Sequence, residues 1–203
     1  AIASSLVGSE MCIRDSTVNA GAADKVQRYI SNCNAMGIEV MPPDVNASLT
    51  DFTPNGDRIL FGLSAVRNLG DGAIRQLIAS RQSDGPFRSL ADICDRIPSS
   101  VLNRRSLESL IHSGALDALD PDANRAQLMA DLELLLDWAS SRAKDRDSGQ
   151  GNLFDLMAAP ADADGPTDLS LAPKASPVAD YPPTEKLRLE KESVSYTHLT
   201  LPT

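Results

Sequence analysis

Aromatic residues, histidine and cysteine are scarce in this sequence, and each shortage excludes a class of site. Aromatic residues make up 4% of the 203 residues, and the two histidines are His112 and His198. The three cysteines are widely spaced and form no C-x-x-C pair, so the sequence indicates neither a zinc site nor a disulfide framework. No Ser-His-Asp or Cys-His arrangement is present, and we assign no catalytic residue and no metal ligand.

Long apolar runs are absent too. No run approaches the roughly 18 residues that a membrane span needs, and residues 1–16 lack the basic start and apolar core of a signal peptide. We therefore expect no membrane partner and a reduced, cytoplasmic location. In that setting Cys33 and Cys94, at apolar helical positions, are predicted to be buried thiols.

Positive charge is in short supply overall but unevenly distributed. The net charge is -9, which argues against a simple polyanion-binding protein. Residues 58–112 nevertheless contain eight arginines and five carboxylates, a net charge of +3, and the rest of the chain therefore carries -12. This basic segment is the place where a nucleic-acid backbone would be held.

Residues 58–81 contain the pattern on which the interpretation of the rest of the chain depends. The pattern predicts a strand over 58–61, one or two helical turns over 63–68, a glycine turn at 69–72 and a helix over 73–81. The second helix has an apolar face made of Ile74, Leu77 and Ile78. This order is typical of a helix-hairpin-helix module.

The glycine turn suits a phosphate group. Glycine lets the backbone approach closely and can adopt positive φ, and the first N–H groups of a helix are unpaired and carry partial positive charge. Such a motif holds a backbone and reads no bases. The candidate DNA-binding residues are Arg67, Asn68, Gly70, Asp71, Gly72, Ala73 and Arg75. The alternative is an ordinary glycine turn between two core helices.

A second, degenerate hairpin is predicted downstream. Ser89 and Asn103 are the expected N-caps of two helices joined by residues 98–102. Arg104 and Arg105 lie at the start of the second of these helices and are further candidates for phosphate contact. The alternative is a solvated helix end.

The remaining pattern completes a mainly α fold. It consists of a tandem helix-hairpin-helix domain with a small β-hairpin at Asn55-Gly56, a long C-terminal helix from Pro121 to Arg146 and a disordered acidic linker over 158–184. Residues 185–192 are predicted to begin another helix. Residues 1–16 and 193–203 resemble the translated read-through of a sequencing adapter, so both are expected to be non-native and to make no stable contacts. The alternative is that they are genuine frayed termini.

Several phrases occur in one order along the chain: DKVQRYISNCNAMGIEVMPPDVN, DFT, FGLSAVRNLGDGAI, GPFRSLADIC, NRRSLESLIHSGALDAL, SGQGNLF and EKLRLEKE. Together they resemble the alpha subunits of bacterial DNA polymerase III, the C-family of replicative polymerases. The resemblance covers about residues 17–192. It is far more specific than the glycine hairpin alone.

The resemblance implies a division of the chain. Residues 17–40 would end the fingers domain, 41–119 would be the helix-hairpin-helix domain that grips duplex product, 120–157 the long helix with a Leu-Phe segment, 158–184 a linker and 185–192 the start of a truncated element. The family's palm, whose three carboxylates hold two magnesium ions, has no matching motif here. The resemblance therefore implies a fragment without cofactor that does not polymerise DNA alone and works with the rest of the alpha chain and the holoenzyme.

A clamp-docking peptide is a further candidate. Gln150, Leu153 and Phe154 fit the Q-x-x-L-F pattern that docks on sliding clamps, although the family's own clamp peptide lies further along. The alternative is that Leu153 and Phe154 fold back on the helical domain.

Two other functions stay open at this point. One is a helical protein-interaction scaffold whose glycine turn is only structural, and the other is a hairpin module of a DNA repair enzyme. The arginine excess over 58–112 favours DNA binding over the first, and the ordered phrases disfavour the second.

Overall fold

A small three-stranded sheet precedes the helices. The computed structural model describes residues 32–33, 35–119, 124–147 and 169–194. The strands are β1 (Glu39–Met41), β2 (Thr53–Asn55) and β3 (Arg58–Leu60), and β3 lies in the middle, parallel to β1 and antiparallel to β2. The domain boundary predicted between residues 40 and 41 thus falls inside β1, a paired strand of this sheet.

The hairpin of β2 and β3 confirms the predicted β-hairpin, with its turn shifted by one residue. Asn55 pairs with Arg58, so the turn residues are Gly56 and Asp57 rather than Asn55 and Gly56. Gly56 adopts φ +62°. A glycine at the first central position suits a two-residue hairpin turn, because the twist of the strands there requires positive φ.

Helices make up most of the remaining described chain, which confirms the mainly α fold. They are α1 (Asp71–Ser83), α2 (Leu90–Arg96), α3 (Arg104–His112), α4 (Arg125–Asp147) and α5 (Pro183–Ser193), with short 3-10 turns at Leu63–Ala65 and Leu169–Leu171. The main core lies between α1, α2, α3 and α4. Its fully buried side chains include Ile74, Leu77, Ile93, Leu110 and Leu132.

Both predicted N-caps are present. The Ser89 hydroxyl accepts a hydrogen bond from the N–H of Asp92 at 3.2 Å, and the Asn103 side chain accepts one from the N–H of Ser106 at 3.0 Å. Each bond satisfies a backbone donor that the first helical turn leaves unpaired. These caps fix where α2 and α3 begin.

The start of α4 carries a buried ionic network. Arg125, 7% exposed, donates to both oxygens of Asp117 and to the His112 carbonyl, and it pairs with Glu190 of α5 at 2.7 Å. Burial lowers the pKa of Arg125, but its hydrogen bonds to the two carboxylates and their charges outweigh burial and raise the pKa overall. The guanidinium therefore stays charged and joins α3, α4 and α5. The predicted helix start at Pro121 lies outside the described residues.

The predicted disordered linker is wrong for residues 169–184. Polar side chains of α4 hold its backbone: Asp131 accepts from the N–H of Ala175, and Gln127 accepts from the N–H of Val178 at 2.9 Å. Leu169 packs against the main core. The composition argument failed because this segment docks through its own backbone groups and needs few apolar side chains. Residues 158–168 lie outside the described part.

The expectation of a contact-free C-terminal segment is wrong for its first two residues. Ser193 ends α5 and its carbonyl accepts from the N–H of Arg67 at 2.8 Å. Val194 forms an isolated bridge with Val66 and is 5% exposed. Helix α5 carries these residues onto the core. Residues 195–203 and 1–16 lie outside the described part.

Gly62 marks a close approach between two backbone segments. A Cβ added there would lie 2.6 Å from the carbonyl carbon of Asp51 and 2.7 Å from the oxygen of Thr50. We expect Gly62→Ala to lower the free energy of unfolding by about 1–3 kcal/mol, the usual effect of overpacking, as measured by urea denaturation. Gly72→Ala is the matched control, because a Cβ there meets nothing within 4 Å. Equal stabilities of the two variants would contradict the prediction.

Candidate nucleic-acid interface

The first hairpin, residues 63–83, is built from a 3-10 turn, an extended link and α1. The helix predicted over 63–68 ends at Ala65, because Val66 is extended, with ψ 124°, and pairs with Val194. The residue with positive φ is Asn68, at +59°, whereas Gly70 has φ -78°. The left-handed position of the turn is therefore held by asparagine, which tolerates it better than most residues.

The N-terminus of α1 is open. Gly70 is its N-cap and accepts from the N–H of Ile74 at 3.1 Å, but it has no side chain to cap the helix. Within the described chain, no atom accepts a hydrogen bond from the N–H groups of Asp71, Gly72 or Ala73. Three donors at the positive end of a 13-residue helix are thus available to an external acceptor.

The two glycines of this turn serve no internal packing requirement. A Cβ at Gly70 or at Gly72 would meet nothing within 4 Å, and neither residue has positive φ. Both are exposed. The missing side chains therefore leave space on the outer surface, where a ligand could approach the backbone closely.

The arginines of the basic segment divide into paired and unpaired groups. Arg81 donates to the carbonyls of Val45 and Ser48, so it holds the fold together rather than facing a ligand. Other arginines are exposed, and their side chains have no hydrogen-bond or ionic partner among the described residues. These are Arg67, Arg75, Arg88 and Arg105. Three of the four belong to the predicted set.

The second hairpin, residues 90–112, lies against the first. The Ser106 hydroxyl of α3 donates to the carbonyl of Asn68 at 2.6 Å, and the side-chain nitrogen of Asn68 donates to the hydroxyl of Ser109 at 3.0 Å. The start of α3, with Arg105, therefore lies beside the turn that precedes α1. The structure thus brings the turn of the first hairpin next to the start of α3.

The two helix starts differ chemically. Asn103 caps α3 with its own side chain, whereas α1 has no such cap. Arg104 is also engaged, with Glu108 at 2.9 Å and Glu133 at 3.2 Å. The hydrogen bond to Glu108 and the charge of Glu133 raise its pKa. The start of the second hairpin's helix therefore offers fewer unpaired donors to a phosphate than the start of α1.

Sequence reasoning missed Ser106 and Ser109. Both are buried, at 2% and 5% exposure, and both touch Asn68. Their spacing of three places them on one face of α3, which the sequence does show. No local pattern in the sequence predicts that their partner is Asn68, which lies 38 positions from Ser106 and 41 positions from Ser109.

No cluster of metal-binding side chains is found in the described part. It holds no group of three His, Cys, Asp or Glu arranged around a common point. Burial, and then the charge of Asp95, raise the pKa of Cys94 to about 12, so its thiol stays protonated. Cys33 and Cys94 are both buried, as predicted. None of the described helices combines the length and apolar composition of a membrane span.

Comparison with known proteins decides the family. A family model described as a helix-hairpin-helix motif matches residues 37–128. The chain is 49% identical over 136 residues, 67% of its length, to "DNA polymerase III subunit alpha" of Thermus aquaticus. The chain belongs to the DNA polymerase III alpha subunit family.

Two other relatives extend the match. The alpha subunit of Neisseria meningitidis serogroup B is 39% identical over 174 residues, 85% of the chain, and that of Escherichia coli K12 is 39% identical over 143 residues, 70% of the chain. The chain spans 11% of the Thermus relative, 14% of the Neisseria relative and 12% of the Escherichia relative. It thus corresponds to a segment of an alpha subunit that contains the helix-hairpin-helix motif.

Proposed function

We propose that this segment holds the backbone of duplex DNA, independently of base sequence, during DNA replication. The observation that carries the proposal is the open N-terminus of α1, where three N–H groups have no partner in the described chain and Gly70 and Gly72 leave the surface clear. Helix starts of this kind bind phosphate oxygens. The match to the helix-hairpin-helix model supports the same conclusion.

The charges around this turn fit a phosphate backbone better than a base edge. Arg67, Arg75 and Arg105 are exposed cations without partners in the described chain. Backbone contacts fix position on the duplex but carry no sequence information. The affinity should be weak, with a dissociation constant of roughly 10⁻⁴ to 10⁻⁶ M.

The place of this segment in the whole polymerase is part of the proposal. By its resemblance to the family, it lies behind the active site, in contact with the rest of the alpha chain and the holoenzyme, in the cytoplasm. Nucleotide incorporation and the magnesium ions that support it belong to the palm, whose carboxylate motif has no match in this sequence. The segment alone is therefore proposed to be inactive.

Clamp binding stays a prediction. Gln150, Leu153 and Phe154 lie outside the described residues. No specific observation favours the scaffold alternative or the repair-enzyme alternative, and the relatives compared above are each named "DNA polymerase III subunit alpha".

Opposite charge changes at the hairpin should move DNA affinity in opposite directions. Arg67→Ala and Arg75→Ala should each weaken binding on all duplex sequences and flatten the log–log salt dependence by about one unit. Asp71→Asn should strengthen binding severalfold at low salt, because it removes a carboxylate near the incoming phosphate. Fluorescence anisotropy of the 203-residue chain with two duplexes of different sequence measures all three.

Arg58→Ala is the matched control. Arg58 is exposed but pairs with Glu39 at 3.0 Å in the sheet, on a different element from the turn. Its removal should leave duplex affinity nearly unchanged. If every arginine variant weakens binding equally, attraction is a property of net charge, and the assignment to the first hairpin is wrong.

A further inference from the structure

The turn before α1 depends on one residue in a disfavoured conformation. Asn68 has φ +59°, and it is the one residue other than glycine with positive φ in the described chain. Two residues later, Gly70 is the N-cap of α1. The conformation of Asn68 therefore sets the direction in which the open helix start faces.

The second hairpin forms hydrogen bonds with both the backbone carbonyl and the side-chain amide of this residue. Ser106 donates to the Asn68 carbonyl at 2.6 Å, and Ser109 accepts from the Asn68 side-chain amide at 3.0 Å. Asn68 itself is exposed, while both serines are buried. Buried hydroxyls that bond an exposed turn residue fix that turn against a rigid helix.

We propose that Ser106 and Ser109 are positioning residues for the phosphate-binding turn, an inference that rests on the proposed function. They act through Asn68: the Ser106 bond holds its backbone and the Ser109 bond holds its side chain. The degenerate hairpin thus contributes to DNA binding by setting the geometry of the first hairpin rather than by binding a phosphate at its own capped helix start.

The side-chain amide of Asn68 has a partner inside the chain. Its side-chain nitrogen donates to Ser109, and the hydroxyl of Ser109 has Asn68 as its partner across 41 residues. The proposal therefore predicts that substitutions at positions 68 and 109 have coupled effects on DNA affinity.

The first test compares two buried serines on the same stretch. Ser109→Ala should weaken duplex binding about fivefold, which is the effect of losing one hydrogen bond of ordinary strength. Ser113→Ala is the matched control, because Ser113 is 0% exposed and its hydroxyl donates to the Leu110 carbonyl within the same turn. Binding should be unchanged in Ser113→Ala, with both variants folded by circular dichroism. Equal affinities of the two variants would overturn the proposal.

A double-variant cycle separates positioning from direct contact. Asn68→Gly keeps a residue suited to positive φ but removes the amide, and it should weaken binding as Ser109→Ala does. Adding Ser109→Ala to Asn68→Gly should then have no further effect. Fully additive losses would show that Ser109 does not act through Asn68. If Ser109→Ala fails to fold, Asn68→Gly at its exposed position still tests the proposal, and wild-type affinity there overturns it.

A spectroscopic readout completes the test. In the DNA-free chain, Ser109→Ala should shift the backbone amide resonances of Gly70 and Gly72, and Ser113→Ala should not. Unmoved glycine resonances would overturn the proposal. If Arg75→Ala and Gly72→Val both leave affinity unchanged, the proposed function itself fails; if they weaken binding while Ser109→Ala does not, only this inference fails.

Discussion

Replacing Gly72 with valine is expected to weaken duplex binding at least tenfold while the helices persist. The new side chain would occupy the outer surface where backbone N–H groups and a phosphate should meet, and tenfold is about 1.4 kcal/mol, less than one lost charge-assisted hydrogen bond often costs. Stability should not fall, because a Cβ at this position meets nothing within 4 Å and φ is not positive. Anisotropy with a fluorescent duplex and circular dichroism measure the two quantities.

Ala79→Val is the matched control for this variant. Ala79 is also exposed on α1, about 10 Å along the helix from Gly72. The same β-branched group there should leave affinity unchanged. The scaffold alternative predicts the reverse pattern, with lower stability for Gly72→Val and no change in DNA affinity, and that result would remove the hairpin as a DNA contact.

Arg125→Met is expected to have the largest effect on stability, a loss of about 3 kcal/mol in the free energy of unfolding. Removing one partner of a buried ion pair leaves the other charge uncompensated, and Glu190 has only 16% of its side chain exposed. The His112 carbonyl also loses a donor. Urea denaturation measures the change, and adding Glu190→Gln should restore part of it.

Arg104→Ala is the matched control for a surface network. Its side chain is 55% exposed although it pairs with Glu108 and Glu133, and such pairs contribute little because solvent screens them. The free energy of unfolding should stay nearly unchanged. If Arg125→Met loses no more stability than Arg104→Ala, the network around Arg125 does not hold the helices together.

The sequence predicts well the features that depend on near neighbours. The caps at Ser89 and Asn103, the β-hairpin and the face of α1 follow from local spacing, and the structure confirms them. Local rules also identify the glycine turn. They assign the left-handed conformation to the wrong residue, because Asn68 adopts it with help from α3.

The features that the sequence did not predict depend on distant partners. The segment 169–184 has the composition of a disordered chain, yet Asn124, Gln127 and Asp131 bind its backbone. In the sequence, nothing distinguishes Ser106 and Ser109 from other helical serines. Their contact with Asn68 follows only from the position of α3 beside the first hairpin. In both cases a polar group meets a partner tens of residues away, and no local pattern encodes that meeting.

The return of α5 onto the hairpins has a consequence for how the chain is made. The contacts of Glu190 with Arg125 and of Ser193 with Arg67 join residues far apart in sequence. At ordinary rates of synthesis, α5 would leave the ribosome on the order of ten seconds after α3. During that interval the surface of α3 that α5 covers in the folded chain is exposed to solvent.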